Sequence, residues 1–212
     1  MNLLRALEPF VSTRHDRRAG ERCDLCSAPV GPDHPHLADV ERRALACACR
    51  ACAMLFTRTG DSASGRWRTV PERHLFDPMF AFTDADWDAL GIPVSMAFFF
   101  KSSSSGTDGW TAVYPSPAGP VESLLSLEAW AALASQTVLV DTIEPDVEAL
   151  LVATDGGGSY TCMLVPIHAC YALVGHVRKK WRGLDGGEEA HASIDEHLAT
   201  LMARCETVGR RS

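Results

Sequence analysis

The chain has 212 residues, a hydrophobic fraction of 46% and 20 basic against 27 acidic residues, which gives a formal net charge of -7. This length suits one medium-sized domain with a small appended module. The negative charge argues against a nucleic-acid binder whose affinity depends on overall charge, so we expect no nucleic-acid partner.

The amino-terminal segment predicts neither a secretion signal nor a membrane span. Its apolar stretch contains Arg5, Glu8 and Pro9, which interrupt the apolar core that a signal peptide requires. No run in the sequence approaches the roughly 18 apolar residues of a membrane-spanning helix. We therefore expect a cytoplasmic protein that begins with a short helix and a polar linker over residues 1–19.

A cysteine-rich segment follows over residues 20–58. Five of the eight cysteines lie within 30 residues of one another, namely Cys23, Cys26, Cys47, Cys49 and Cys52. In a chain of this size without a signal peptide, such clustering favours a metal site over disulfides.

Two Cys-x2-Cys pairs in this segment predict a metal site. The pairs are Cys23 with Cys26 and Cys49 with Cys52, and together they supply four thiolates. Zinc prefers four tetrahedral nitrogen or sulfur ligands, so we predict these four cysteines as its ligands. The second pair runs into ACAMLF, which can start a helix. A hairpin between two such pairs, with the second at a helix start, is typical of a treble-clef or zinc-ribbon-like finger.

The segment between the pairs predicts that hairpin, because HLADV and RALAC flank a turn at Glu41 and Arg42. This pairing brings His36 close to Cys47 across the hairpin. Cys47, His36 and His34 are therefore further candidates, which would support the ligands, replace one of them or form a second site. An ordinary hydrogen-bonding role is the alternative for both histidines.

The alternative to zinc is iron in a rubredoxin-like centre. Rubredoxin-type pairs usually place glycine after the second cysteine, whereas this chain has Ser27 and Ala53. That difference disfavours iron without removing it.

A nuclease is a further hypothesis for the finger. A nuclease of the ββα-metal type would need Asn or His on the helix after the second cysteine pair. That helix reads AMLFTR, so we expect no nuclease.

Residues 59–212 predict an α+β domain. After the loop TGDSASG, RWRTV is a strand candidate, and Thr83 is a candidate N-cap of a short helix over DADWDAL. Two similar units follow. VSMAFFFKS and WTAVYP precede a helix capped by Ser126, and EALLVAT and YTCMLVP precede a helix from Ile167. We predict that these two strand-strand-helix units form one antiparallel sheet with packed helices.

Two amphipathic helices are predicted near the carboxy terminus. Their apolar positions are Ile167, Cys170, Tyr171, Val174 and Trp181 in the first, and Ile194, Leu198, Leu201, Met202 and Cys205 in the second. His168 and His176 are eight apart, too far for a metal pair one helical turn apart. Cys162 and Cys170 are predicted core thiols.

The first of these helices ends in a basic run at Arg178, Lys179 and Lys180. Such a run usually complements the helix dipole, and a docking surface for an acidic partner is the alternative.

Nothing in residues 67–212 identifies catalysis, so we predict no catalytic residues. An enzyme would require a pocket with converging polar groups.

Seven stretches between about Cys23 and the final helix carry a resemblance to a known family: CDLC, HPHL, CACRACAMLF, AFFFKSS, YPSPAG, LVPIHACY and WRGLDGGEE. In these stretches the chain resembles a bacterial family whose genes accompany uptake-type nickel–iron hydrogenases, especially the high-affinity, oxygen-tolerant group. The gene company implies a part in assembling, protecting or electrically connecting a hydrogenase.

Together these observations predict a non-catalytic, zinc-binding accessory protein. The resemblance implies that it assists a nickel–iron hydrogenase through contacts with a hydrogenase subunit or a maturation factor. The alternative is a rubredoxin-like iron protein that transfers electrons to or from the hydrogenase.

Overall fold

A computed structural model describes residues 21–56, 66–103, 109–124, 126–183 and 186–209. The predicted amino-terminal helix and linker over residues 1–19 lie outside these ranges, as does the loop predicted at residues 59–65. No helix in the described ranges combines the length and the apolarity that crossing a bilayer requires.

The cysteine-rich segment folds as a small finger around a three-stranded antiparallel sheet. Its strands are β1 (His36–Asp39), β2 (Ala44–Cys47) and β3 (Trp67–Thr69), in the order β2-β1-β3. Helix α1 (Arg50–Met54) follows the second cysteine pair. The predicted hairpin is confirmed, because His36 lies directly opposite Cys47.

Strand β3 is the strand predicted in RWRTV, and it pairs with β1 of the finger. The division of the chain at residue 58, which stays a prediction, would assign this strand to the second domain. Arg68 on β3 donates to the carbonyl oxygen of Pro145 at 2.8 Å, and its guanidinium lies 3.3 Å from the Asp146 carboxylate. Strand β3 therefore links the finger to the rest of the chain.

A second, seven-stranded sheet has the order β10-β4-β9-β8-β5-β6-β7. Its strands are β4 (Leu75–Phe76), β5 (Met96–Lys101), β6 (Trp110–Ser116), β7 (Gly119–Ser123), β8 (Glu148–Thr154), β9 (Tyr160–Pro166) and β10 (Glu206–Thr207). Neighbouring strands are antiparallel, except that β10 runs parallel to β4. The predicted α+β class with an antiparallel sheet is confirmed.

Helices cover both faces of this sheet. They are α2 (Asp84–Ala89), α3 (Leu127–Ser135), a 3-10 turn (Val138–Asp141), α4 (Ile167–Lys180) and α5 (Gly187–Arg204). One core joins a sheet face to α2, α3 and the 3-10 turn. The other joins the opposite face to α4, α5 and the finger residues Ala38 and Val70.

The central strands β5 and β8 are apolar on both sides because both faces are covered. Successive side chains of a strand point to opposite faces. Phe98 and Leu151 accordingly belong to the core beneath α4 and α5, whereas Phe99 and Leu150 belong to the core beneath α2 and α3. The uninterrupted run AFFF is thereby explained.

The two predicted units are present as the hairpins β5–β6 and β8–β9, with β5 and β8 side by side. The first unit needs a correction, because the unpredicted strand β7 lies between β6 and α3. Pro115 and Pro120 face each other in this pairing. Proline weakens a strand signal, and it is tolerated here because β7 is an edge strand.

Candidate metal centre

The four cysteines of the two pairs meet at one point. The sulfur atoms of Cys23, Cys26, Cys49 and Cys52 all lie within 4.8 Å of one another. The Cys26 and Cys49 sulfurs are 3.7 Å apart. A tetrahedral ion with metal–sulfur bonds of about 2.3 Å places its sulfurs about 3.8 Å from each other. The cluster therefore has the spacing that a four-thiolate metal site requires.

A tight backbone turn carries the first pair. The Cys23 N–H donates to the Ala28 carbonyl, and the Ser27 N–H donates to the Cys23 carbonyl, each at 2.8 Å. Ser27 has a φ of 62°, in the left-handed region that glycine favours. Because Ser27 adopts this conformation, the missing glycine does not separate zinc from iron at this pair.

The second pair opens helix α1, as predicted. Cys49 is the N-cap, with φ -74° and ψ 160°, and its sulfur accepts the Cys52 N–H at 3.4 Å. A helix N-terminus leaves backbone N–H groups without partners inside the helix, and a sulfur at the N-cap satisfies one of them. The cap therefore fixes the direction of both thiols.

The electrostatics of the cluster are suited to a cation. Burial would raise the pKa of the Cys23 thiol, but hydrogen bonds from the backbone of Cys49, Cys26 and Leu25 lower that pKa to about 6. In contrast, the neighbouring Cys49 and Cys26 side chains raise the pKa of Cys52 to about 12. Four adjacent thiolates repel each other, and a bound divalent cation removes that repulsion.

The additional candidates lie together in a second group. The ligand atoms of His34, His36 and Cys47 are within 4.8 Å of one another. The structure thus groups Cys47 with the two histidines rather than with the four-cysteine cluster. Asp24 connects the two groups, since its carboxylate accepts the Cys47 N–H at 2.6 Å and its own N–H donates to the Cys47 carbonyl at 2.8 Å.

A third histidine beside this group was missed from the sequence. The His168 ring stacks on the His36 ring, with centroids 4.3 Å apart and an interplanar angle of 9°. Together with His74 and His197, these histidines line a cavity of about 920 Å³ between the finger and helices α4 and α5. Sequence reasoning compared His168 only with positions on its own helix, and no local spacing connects it to β1.

The other cysteines have the core positions that were predicted for them. Cys162 and Cys170 are completely buried, one in each core. Burial raises the pKa of the Cys162 thiol to about 12. All eight cysteines lie in the described ranges, and none of them forms a disulfide.

Comparison with known protein families gives one match, and it covers both groups of candidate ligands. The model of a family of unknown function (DUF5947) matches residues 22–205. This stretch contains all eight cysteines and therefore both ligand groups. No match was found among the curated proteins or among the solved structures.

Proposed function

We propose that this chain, which belongs to the DUF5947 family of unknown function, is a non-catalytic accessory protein whose finger is held together by zinc. The observation that carries the proposal is the convergence of Cys23, Cys26, Cys49 and Cys52 at metal–thiolate spacing. Four protein ligands leave no open coordination position, which is the arrangement of a structural zinc site.

The finger has little else to stabilise its cysteine-bearing turns. Its own core consists of the buried Leu37, Ala48 and Ala53, with the partly buried Phe56 and Trp67 against them. So small a core contributes little hydrophobic stabilisation. Binding of the ion would supply folding free energy directly to this part of the chain.

The test of this assignment is metal content after single substitutions. We expect Cys→Ser at any one of Cys23, Cys26, Cys49 and Cys52 to remove the tightly held ion, measured by elemental analysis after dialysis against a weak chelator. Cys47→Ser is the matched control in the same finger and should retain that ion. Loss of the ion from Cys47→Ser but not from Cys49→Ser would contradict the ligand set.

Iron in a rubredoxin-like centre is the second candidate for the cluster, with electron transfer to or from a hydrogenase as its function. Two observations are compatible with iron: Ser27 adopts the left-handed backbone that glycine usually supplies, and the Cys26 thiol is exposed to a partner. Purification in air from iron-replete cells decides between the metals. A colourless protein with one tightly held zinc supports our proposal, and a red protein with iron overturns it.

We also propose the partner, a hydrogenase subunit or a maturation factor, in the cytoplasm. The resemblance to a family encoded beside uptake-type nickel–iron hydrogenases supports this choice. The finger also exposes large apolar side chains next to its cysteines: Leu25 is 41% exposed, Met54 66% and Leu55 74%. Apolar side chains that cluster at the surface are typical of protein contact sites.

Co-expression of the tagged chain with the products of a hydrogenase gene cluster tests the partner. We expect a hydrogenase subunit or maturation factor to be recovered with the wild type, and less of it with Leu55→Ser. Leu124→Ser is the matched control, because Leu124 is fully exposed and distant in sequence from the finger. Failure to recover any hydrogenase product with the wild type would contradict this proposal and leave the zinc assignment intact.

A further inference from the structure

The second ligand group lies where the finger faces helices α4 and α5. His36 and Cys47 are opposite each other on β1 and β2, so their side chains lie on the same face of the finger sheet. His34 is two residues before His36, and their ring centroids are 4.5 Å apart. Ligand atoms around one tetrahedral ion are about 3.3–3.8 Å apart. The ligand atoms of His34, His36 and Cys47 already lie within 4.8 Å of one another, so their separations need to shrink by about 1.5 Å at most when an ion binds.

The hydrogen bond that His34 makes through one ring nitrogen leaves its other, buried nitrogen free to bind a metal ion. Nδ1 lies 2.7 Å from the Gly31 carbonyl oxygen, which can only accept, so Nδ1 carries the proton. In the neutral ring the lone pair is then at Nε2. Histidines that bind metals through one nitrogen commonly donate the other N–H to a backbone carbonyl, as His34 does.

Several imidazole nitrogens at this place lack a partner. Within the described ranges, no hydrogen-bond partner exists for His34 Nε2, His36 Nδ1 or His168 Nδ1, although all three atoms are buried. The His34 side chain is only 5% exposed. Buried polar atoms are nearly always satisfied in folded proteins, so several in one place require an explanation. A bound cation provides it for His34 and His36, because it accepts the lone pairs of their imidazole nitrogens.

The chemistry of the donors narrows the kind of ion. Two imidazoles with one thiolate suit a zinc-type transition-metal ion and not calcium or magnesium, which take oxygen ligands. Three protein ligands with a free fourth position are the arrangement of open zinc sites. The free position would face the cavity of about 920 Å³ that these three residues help to line.

We propose that His34, His36 and Cys47 bind a second, exchangeable zinc-type ion whose fourth coordination position is open to water or a small ligand in the cavity. This site is separate from the four-cysteine cluster and does not depend on the structural role proposed for it. His168, stacked on His36, lines the same cavity.

The first test uses the wild-type protein and Co²⁺, which reports its ligands by its absorption. The protein is purified with its four-cysteine site filled, dialysed against a weak chelator and titrated with Co²⁺. We expect one equivalent to bind with thiolate-to-cobalt absorption, and X-ray absorption at the cobalt edge to show nitrogen and one sulfur. Oxygen ligands alone, no binding, or release of the first ion as cobalt enters would overturn the proposal.

Substitutions identify the residues. Cys47→Ser and His36→Gln should each lose the bound cobalt, whereas His74→Gln should retain it, because His74 lines the same cavity outside the ligand group. The first ion, measured in the same samples, reports whether the finger is folded. If a variant has lost that ion, His34→Gln replaces it with the same expectation. Retention of cobalt by folded ligand variants would overturn the assignment.

The open position has its own test. Azide added to the cobalt-loaded wild type should shift the visible absorption bands of cobalt, because the anion enters the fourth position. An unchanged spectrum would show that the protein fills this position, and the open-site proposal would be wrong.

Discussion

Two buried carboxylates are each bound by one arginine, Glu148 in the main sheet and Asp39 in the finger. Glu148 is completely buried on β8. Arg73 contacts both of its oxygens, at 2.5 Å and 2.7 Å, and the Glu144 N–H donates to it at 2.8 Å. Arg66 binds Asp39 of β1 in the same two-pronged way and lowers the pKa of that carboxyl group.

Removing Arg73 should be among the more damaging single changes. Arg73→Met leaves the Glu148 charge buried without its counter-ion, and breaking such pairs costs about 3–5 kcal/mol. We expect a loss of that size in the free energy of unfolding measured with urea. The double variant Arg73→Met/Glu148→Leu should recover much of the loss, because no charge then remains buried. A double variant as unstable as the single one would contradict this explanation.

The burial of His197 should make the free energy of unfolding depend on pH. Burial lowers its pKa below the ordinary value of 6.5, the Ala169 carbonyl opposes this, and His176 and Arg204 add to it. The unfolded state therefore binds the proton more readily, so stability is highest above pH 6.5 and decreases as the pH falls below it.

We expect His197→Gln to lose less stability than the wild type between about pH 7.5 and about pH 5.5, measured by urea unfolding at each pH. An NMR titration of the wild type checks the premise. A His197 ring that protonates above pH 6.5 would contradict it.

At the scale of elements, short local signals decided where helices begin. Thr83 and Asp86 form a reciprocal capping box at α2: the Asp86 N–H donates to the Thr83 hydroxyl oxygen at 3.3 Å, and the Thr83 N–H donates to the Asp86 carboxylate at 3.0 Å. Ser126 caps α3 in the predicted way. These caps were recognisable from the sequence because a cap involves residues only three apart.

Thr83→Ala should cost about 1 kcal/mol, because it leaves the Asp86 N–H without its acceptor. The measurement is the midpoint of urea unfolding. Thr200→Ala is the matched control, since Thr200 is an exposed residue inside α5 whose hydroxyl donates to the Glu196 carbonyl and caps no helix start. An equal loss in both variants would show that the cap contributes nothing specific.

The strands missed from the sequence are the two-residue β4 and β10 and the proline-containing edge strand β7, whereas β6 and β9 were recognised despite their prolines. The apolar runs that became β5, β8 and β9 were recognised because at least five consecutive residues of each strand are buried. The two-residue strands β4 and β10 carry no periodic signal, since pairing with neighbours defines them. Their existence depends on the Leu75–Phe76 segment lying beside β9.

At the scale of the whole molecule, the finger and the main sheet differ in what stabilises them. The two cores of the sheet bury large side chains such as Phe98, Phe99 and Leu133. The cysteine-bearing turns of the finger have only a small core of their own. Metal should therefore stabilise the finger locally and the sheet only slightly.

Removal of the tightly held ion by a strong chelator should loosen the finger and leave the sheet folded. Hydrogen exchange measures this directly. We expect amide protection to be lost in β1 and β2 and kept in β5 and β8, since local opening follows the elements that lose their support. Loss of protection in all four strands together would show that the ion stabilises the whole chain.

The sequence by itself determined the four-cysteine group, the hairpin between its pairs and the apolar faces of the last two helices. Each follows from spacing within one segment: two residues between paired thiols, a short turn between two strands, and apolar residues three to four apart along a helix. It also brought His36 near Cys47, because a hairpin turn fixes the register of its strands.

Only the tertiary structure decided that Cys47 belongs with His34 and His36, that His168 stacks on them, and that a cavity opens beside the group. It also decided that β3 completes the finger sheet. The physical reason is that these contacts join segments far apart in the chain. Their approach is set by how the cores pack, and packing leaves no periodic signal in either segment alone.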